Sequence, residues 1–270
     1  MSDRTTPKQR PTIALLASSG AAPMADRERA LAARLGIPPI SDLAQAAGRF
    51  DLLLAFHRNR LELRSVASRT LSPICVDFLL GATAQRALRQ HVGKQPLAVA
   101  VGLRKGCRGV VDATAGLGSD AFMLAALGCD VTAVERCGVL VALLENGLAR
   151  ARADGGLQSQ PIAERIDLVE ADARVFLAGL SPAEAPDTIY LDPMFTPRRK
   201  KVAVNKVMQL TRELAGDDTD APELLEIARR VAKRRVVVKR HHLAPPLSPN
   251  PVGEHIGKMV RYDVYLPIGK

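Results

Sequence analysis

The chain has 270 residues, 47% of them apolar, which is enough for one large α/β domain with a small addition. Aromatic residues make up 3% and Trp is absent, so the core is aliphatic, which argues against a sandwich packed on rings. The formal charge of +10 points to an anionic partner or to a solubilising surface, since net charge alone identifies neither.

In chain order, residues 1–11 are polar and basic and are expected to form a disordered tail. Thr12–Ala17 is a short apolar run that predicts a strand. Met24–Leu35 has helical spacing and stops at Gly36. Phe50–Phe56 and Leu61–Val66 are apolar runs on either side of His57–Arg60, which predicts a β-hairpin with Asn59 in the turn. Residues 12–72 therefore read as a small N-terminal α/β appendage, and residues 73–270 as the catalytic domain. Residues 73–105 are a connector with a helix at Thr83–His91.

A regular alternation follows. Strands are predicted at Gly109–Asp112, Asp130–Glu135, Ile166–Glu170, Thr188–Leu191 and Arg235–Lys239. Helices are predicted at Asp120–Leu127, Val139–Ala153 and Pro222–Ala232. Val260–Leu266 alternates like a closing antiparallel strand. Strands alternating with helices predict a Rossmann-like, mostly parallel sheet covered on both faces. Cys75, Cys107, Cys129 and Cys137 form no C-x-x-C pair and read as reduced thiols. No apolar run has the length of a signal or membrane-spanning segment, so a cytoplasmic protein is expected.

The first local signal is Val110-Val111-Asp112-Ala113-Thr114-Ala115-Gly116-Leu117-Gly118-Ser119-Asp120, a strand entering a glycine-rich turn that opens a helix. Gly116 and Gly118 let the backbone approach a ligand closely. Glu135 ends the next strand, where an acid accepts bonds from ribose hydroxyls. Asp172 lies just past the third strand, where it could hold an adenine amine. The same turn also fits a dinucleotide fingerprint, so a nicotinamide-dependent oxidoreductase competes. Asp112 and Asp120 argue against it, because they would repel a pyrophosphate at the helix N-terminus. They suit S-adenosylmethionine, which carries an ammonium and a sulfonium.

The second signal is Ile189-Tyr190-Leu191-Asp192-Pro193-Met194-Phe195, at the C-terminal end of the fourth strand. Open α/β sheets place their chemistry there. An amine attached to a base shares its lone pair with the ring and is a poor nucleophile. The Asp192 carboxylate and the Pro193 carbonyl can accept its N–H bonds and aim the lone pair, while Phe195 stacks on the base. Such catalysis rests on positioning and preplaced acceptors and needs no metal. The same turn can present a DNA base or a protein amide. A non-catalytic RNA-binding module would have no need of it.

With these strings in hand, the sequence resembles the RsmJ family, the bacterial small-subunit (16S) ribosomal RNA guanine-N2 methyltransferases. The resemblance rests on Val111 to Gly118 with Asp120-Ala121-Phe122, on Glu135-Arg136, on Tyr190 to Phe195, and on Arg235-Val236-Val237-Val238-Lys239-Arg240. Weaker matches lie at Leu61-Glu62-Leu63-Arg64, Val76-Asp77-Phe78, Gly257-Lys258 and Arg261-Tyr262-Asp263-Val264-Tyr265. It implies a class I S-adenosylmethionine-dependent methyltransferase fold. It also implies cofactor contacts at Ser119, Asp120, Glu135, Arg136, Asp172, Ala173 and Asp192, and guanine N2 of 16S ribosomal RNA in the small subunit as the acceptor. The sequence shows no sign of an obligate protein partner.

Two basic runs flank the expected site. Arg198-Arg199-Lys200-Lys201 follows the acceptor turn, and Arg229–Arg240 holds seven Lys or Arg and no acid. Arg198, Arg199, Lys200, Lys201, Lys239 and Arg240 are the candidate contacts to RNA phosphates. His241 and His242 come next. Adjacent positions on an extended strand face opposite ways, so they are not read as a metal site.

Overall fold

The computed structural model describes residues 11–18, 24–68, 72–88, 95–154, 158–193, 214–216 and 219–269. Met194, Phe195 and Arg198–Lys201 lie outside them. The chain divides into two compact units, one drawn from Met1–Cys75 and Lys201–Gly216, the other from Val76–Lys200 and Asp217–Lys270.

In the first unit, strands β1 (Ile13–Leu16), β2 (Pro39–Ile40), β3 (Leu52–His57) and β4 (Arg60–Ser65) form a sheet of order β2-β1-β3-β4. β2 is too short to read from its sequence. Helix α1 (Asp26–Leu35) ends at Gly36, whose φ of 62° supplies the left-handed stop. The hairpin forms as expected, but tighter: His57 pairs with Arg60, leaving Arg58 and Asn59 as the turn. The residue at positive φ is Arg58, not Asn59. Ala14, Ile40, Ala46 and Leu53 close a small aliphatic core.

The second unit is built on β5 (Gly109–Asp112), β6 (Asp130–Glu135), β7 (Ile166–Glu170), β8 (Thr188–Leu191), β9 (Arg235–His241), β10 (Gly253–Ile256) and β11 (Val260–Tyr265). Their order is β10-β11-β9-β8-β5-β6-β7. The five strands β9-β8-β5-β6-β7 run parallel, and β11 and β10 close the edge antiparallel. Residues Thr188 to Leu191 have no exposed surface at all, so both faces of the sheet are covered.

The helices are α2 (Ala82–Leu88), α3 (Pro96–Ala100), α4 (Ser119–Ala126), α5 (Gly138–Ala153), α6 (Gln160–Ala163), α7 (Ala173–Ala178) and α8 (Ala221–Val231). On one face Val111, Ile189, Leu191, Val236 and Val238 meet Leu177 of α7 and Leu224, Leu225 and Ala228 of α8. α4 and α5 pack against β6 and β7. This is the mostly parallel sheet, covered on both faces, that the alternation predicts. α3, α6, α7 and β10 are additions to it, each six residues or fewer. Among the described residues, no helix is long and apolar enough to cross a membrane.

The order β8-β5-β6 has a direct consequence. The chain reverses its direction of sheet growth between β7 and β8, so β8 lies beside β5. The ends of β5 and β8 therefore adjoin at the carboxyl edge, where an open α/β sheet leaves a crevice.

Candidate active site

The site is built on loops leaving the carboxyl ends of β5 to β9. Asp112 is the last residue of β5, in register with Tyr190 of β8. Just beyond, Thr114 Oγ1 accepts a hydrogen bond from the Asp192 backbone N–H at 2.7 Å. The glycine-rich turn is thus tied directly to the turn that begins at Asp192. A second tie runs through side chains. The Lys239 ammonium of β9 donates to Asp120 Oδ2 at 2.7 Å and to Asp192 Oδ2 at 2.8 Å. Tyr190, fully buried, donates its hydroxyl to the same Asp120 oxygen at 2.7 Å.

Each of these side chains has a local reason to be there. Both turn glycines are left-handed, Gly116 at φ 55° and Gly118 at φ 74°. They differ in surroundings. A Cβ on Gly116 would meet nothing within 4 Å, which leaves room for a ligand along the turn. A Cβ on Gly118 would come within 2.4 Å of Leu144 Cδ1, so that glycine seats α5 against the turn. Glu135 Oε2 accepts the Gly116 N–H at 2.8 Å and Glu135 Oε1 the Cys137 N–H at 2.7 Å. The acid expected at the ribose also clips the turn to β6. Burial pushes its carboxyl above the ordinary range against the pull of those backbone donors.

Asp112 is 1% exposed and accepts the Thr114 N–H at 3.2 Å. Burial, reinforced by the neighbouring Asp120 carboxylate, pushes its pKa well above the usual value. This carboxylate raises the energy of the ligand-free protein, and a cation placed beside it would lower that energy. A raised folded-state pKa means the folded chain holds the proton more tightly. Its contribution to stability is therefore complete below the unfolded value of 3.8 and is lost as pH rises through the folded one. Asp112→Asn keeps an acceptor for the Thr114 N–H and removes the charge. The ligand-free variant is expected to melt higher than the parent at neutral pH. Its affinity for S-adenosylmethionine is expected to fall roughly tenfold or more, for loss of a charge-assisted bond. Calorimetric titration and thermal unfolding of the same samples check both halves.

At the end of β7, Asp172 caps α7 by accepting the Arg174 N–H at 2.9 Å, and both its oxygens take the Arg174 guanidinium, at 3.1 and 2.7 Å. The Arg174 side chain holds its pKa down at about 2. Arg174 also pairs with Glu223 at 2.7 Å, and Arg136 with Asp220 at 2.7 Å, which joins this edge to the start of α8. Ala173 opens α7 and is buried. Ser119 opens α4 and accepts a bond from the Thr83 hydroxyl at 3.3 Å.

The candidate RNA contacts fall in three places. Arg198 to Lys201 lie outside the described residues. Arg240 turns its guanidinium back onto the Pro245 carbonyl, at 3.2 and 3.0 Å. Lys239, given to a phosphate on sequence grounds, points at two carboxylates. The histidines differ from expectation as well. His242 lies past the end of β9, where the chain turns, so the two rings come to 4.4 Å between centroids rather than facing opposite ways. Among the described residues, no group of three or more His, Cys, Asp or Glu is placed to hold a metal.

Sequence reasoning missed Tyr190, Thr114 and Arg174. Tyr190 and Thr114 stand inside the two quoted strings but look like a core aromatic and a turn residue. Nothing local distinguishes Arg174 from any helical arginine.

The acids Asp112, Asp120, Glu135 and Asp172 along this edge, with open space at Gly116, fit a nucleoside that carries positive charge. They do not fit a pyrophosphate. Comparison with known proteins agrees. The model of the SAM_MT family of SAM-dependent methyltransferases matches residues 41–267. Ribosomal RNA small subunit methyltransferase J of Thioalkalivibrio sulfidiphilus is 48% identical over 243 residues, covering 89% of this chain and 93% of that protein. The protein of the same name in Coxiella burnetii is 44% identical over 219 residues, covering 80% of this chain and 84% of its own. The crystal structure of a SAM-dependent methyltransferase from Neisseria gonorrhoeae superposes with a TM-score of 0.73 at 32% identity, covering 96% of this chain and 97% of that one.

Proposed function

The chain belongs to the ribosomal RNA small subunit methyltransferase J family of SAM-dependent methyltransferases, and on that premise we propose that it methylates the exocyclic N2 amine of a guanine in 16S ribosomal RNA. One observation carries the reading of the mechanism. The acceptor turn at Asp192 is bonded to the cofactor turn at Thr114, and its carboxylate shares Lys239 with Asp120. A ligand held by one turn is then within reach of a group held by the other.

Bound S-adenosylmethionine supplies a methyl group on a sulfonium, whose C–S bond breaks as the new N–C bond forms, leaving a neutral thioether. The protein's part is to hold the pieces. Asp112 and Asp120 provide negative charge for the ammonium and sulfonium. Glu135 is assigned to the ribose and Asp172, whose carboxylate also holds Arg174, to the adenine edge, with Ser119, Arg136 and Ala173 beside them. The Asp192 carboxylate and the Pro193 carbonyl accept the two N–H bonds of the acceptor amine, and Phe195 stacks on the base. As the nitrogen takes the methyl group it becomes strongly acidic. Its proton passes to the Asp192 carboxylate and from there to water. A base paired in a helix has to be unstacked to enter such a site. The basic run Arg198 to Lys201 and Arg240 bind phosphates next to the target nucleotide.

Mass spectrometry of 16S ribosomal RNA nucleosides from cells with and without this gene tests the proposal. One N2-methylguanine is expected to disappear with the gene and to return when purified protein and S-adenosylmethionine are added to deletion-strain subunits. An unchanged nucleoside profile, or label on DNA or protein alone, defeats it.

A further inference from the structure

Among the described residues, Lys239 stands apart from the other basic side chains. It lies in β9 between two paired strands, with Val238 in register with Leu191 of β8 and Lys239 itself in register with Tyr262 of β11. Its backbone is therefore held by β11, one residue beyond the end of the ladder with β8. Its side chain is 22% exposed, and its ammonium spends its hydrogen bonds on Asp120 at 2.7 Å and Asp192 at 2.8 Å. Asp120 is fixed in turn by the buried Tyr190 hydroxyl at 2.7 Å. The result is one chain of contacts, Tyr190 to Asp120 to Lys239 to Asp192, running from the sheet interior to the acceptor turn. Burial works against the Lys239 charge, but the Asp192 and Asp120 carboxylates outweigh it and hold the lysine above its ordinary pKa. An ammonium so engaged is a poor phosphate ligand, because a phosphate would have to displace two carboxylates.

We propose that Lys239 is a positioning residue for methyl transfer, which locks the Asp192 carboxylate through Oδ2 in the orientation that receives the acceptor amine, and that it does not contact the RNA backbone. The role rests on the reading of Asp192 as the amine acceptor. The physical reason is that Asp192 follows the last residue of β8 with its side chain 39% exposed, and the Lys239 ammonium, 2.8 Å from Oδ2, fixes the orientation of its carboxylate. A carboxylate free to rotate would satisfy the amine only part of the time. Three carboxylates, Asp112, Asp120 and Asp192, also interact across this edge, and without a cation among them Asp192 would be driven outward toward water.

The test uses the full chain and three proteins: the parent, Lys239→Met, which keeps the length of the side chain and removes the charge, and Lys239→Arg, which keeps the charge. Methyl transfer is measured as kcat and KM on subunits lacking the modification. Affinity for the same RNA is measured as a function of salt, and affinity for S-adenosylmethionine by calorimetry. For Lys239→Met, kcat is expected to fall about 100-fold, the scale of a misplaced catalytic group, while RNA affinity and its salt dependence stay at parental values. Lys239→Arg is expected to recover at least a tenth of the lost kcat. A parental kcat in a folded Lys239→Met overturns the proposal. So does a shallower salt dependence, by about one ion, because that is the mark of a lost phosphate contact. Should Lys239→Met not fold, a folded Lys239→Arg with kcat reduced about 100-fold also overturns it, since the charge is then not what positions Asp192, and its recovery of activity upholds it. Methylation of some other amine by the parent protein overturns the assignment of the acceptor, and the ratio of variant to parent on that amine still decides the role of Lys239.

Discussion

Asp192→Ala is expected to lower kcat for methyl transfer on the order of 10²–10³-fold, the cost of removing one preplaced partner of the reacting group in a transition state. The loss should appear in kcat, with KM for RNA and affinity for S-adenosylmethionine changed less than tenfold, because the interaction tightens only as the nitrogen becomes acidic. Asp192→Asn should be nearly as poor. Its amide oxygen can still accept one N–H, but the group cannot take the proton. The fold should survive both changes. Asp192 is 39% exposed and adds nothing to the core, and its ion pair with Lys239 is discounted by solvent to about 1 kcal/mol or less. Single-turnover methyl transfer, together with thermal unfolding, separates the two effects. Near-parental turnover by Asp192→Ala would remove the basis of the proposed mechanism.

Gly118→Ala should produce the largest loss of stability among single substitutions in the cofactor turn. Two penalties add. At φ 74° a residue with a Cβ is strained by about 1–2 kcal/mol. The new methyl group would also lie 2.4 Å from Leu144 Cδ1. Leu144 is fully buried within α5, so it cannot swing aside, and overpacking of this kind costs about 1–3 kcal/mol. Chemical unfolding should therefore show a loss of roughly 2–5 kcal/mol. Gly116→Ala is the matched control. It carries the same backbone strain at φ 55° but meets no atom within 4 Å, so its cost should be confined to the backbone share. Leu144→Ala opens space for the added methyl group. In the double variant the two losses should sum to less than their separate values. Equal destabilisation by Gly116→Ala and Gly118→Ala would show that contact with α5 has no part in it.

Most of the sheet can be read from local pattern. Val110-Val111, Ile189-Tyr190-Leu191 and Val236-Val237-Val238 are short apolar runs that only a strand buried on both faces accounts for, and each became one. The glycine-rich turn is visible because left-handed backbone needs glycine. The hairpin turn is legible too, with Asn59 in it, but not that Arg58 is the residue at positive φ. α7 escapes notice because six residues are too few to show a helical period, and β10 because Gly253-Glu254-His255-Ile256 is no apolar run.

Side-chain chemistry at the carboxyl edge divides along the same line. That Asp112, Glu135 and Asp192 stand at strand ends, and Asp120 at the start of a helix, follows from counting along the chain. Which of them meet does not. Asp192 meets Lys239, and shares it with Asp120, because β8 inserts between β5 and β9, bringing together residues 47 and 119 positions apart in sequence. Asp172 is taken by Arg174 because α7 begins where it does. Amino-acid order records whether a face is apolar, since burial acts residue by residue. Partnership between charges depends on strand order and register, which are settled only when the whole sheet packs.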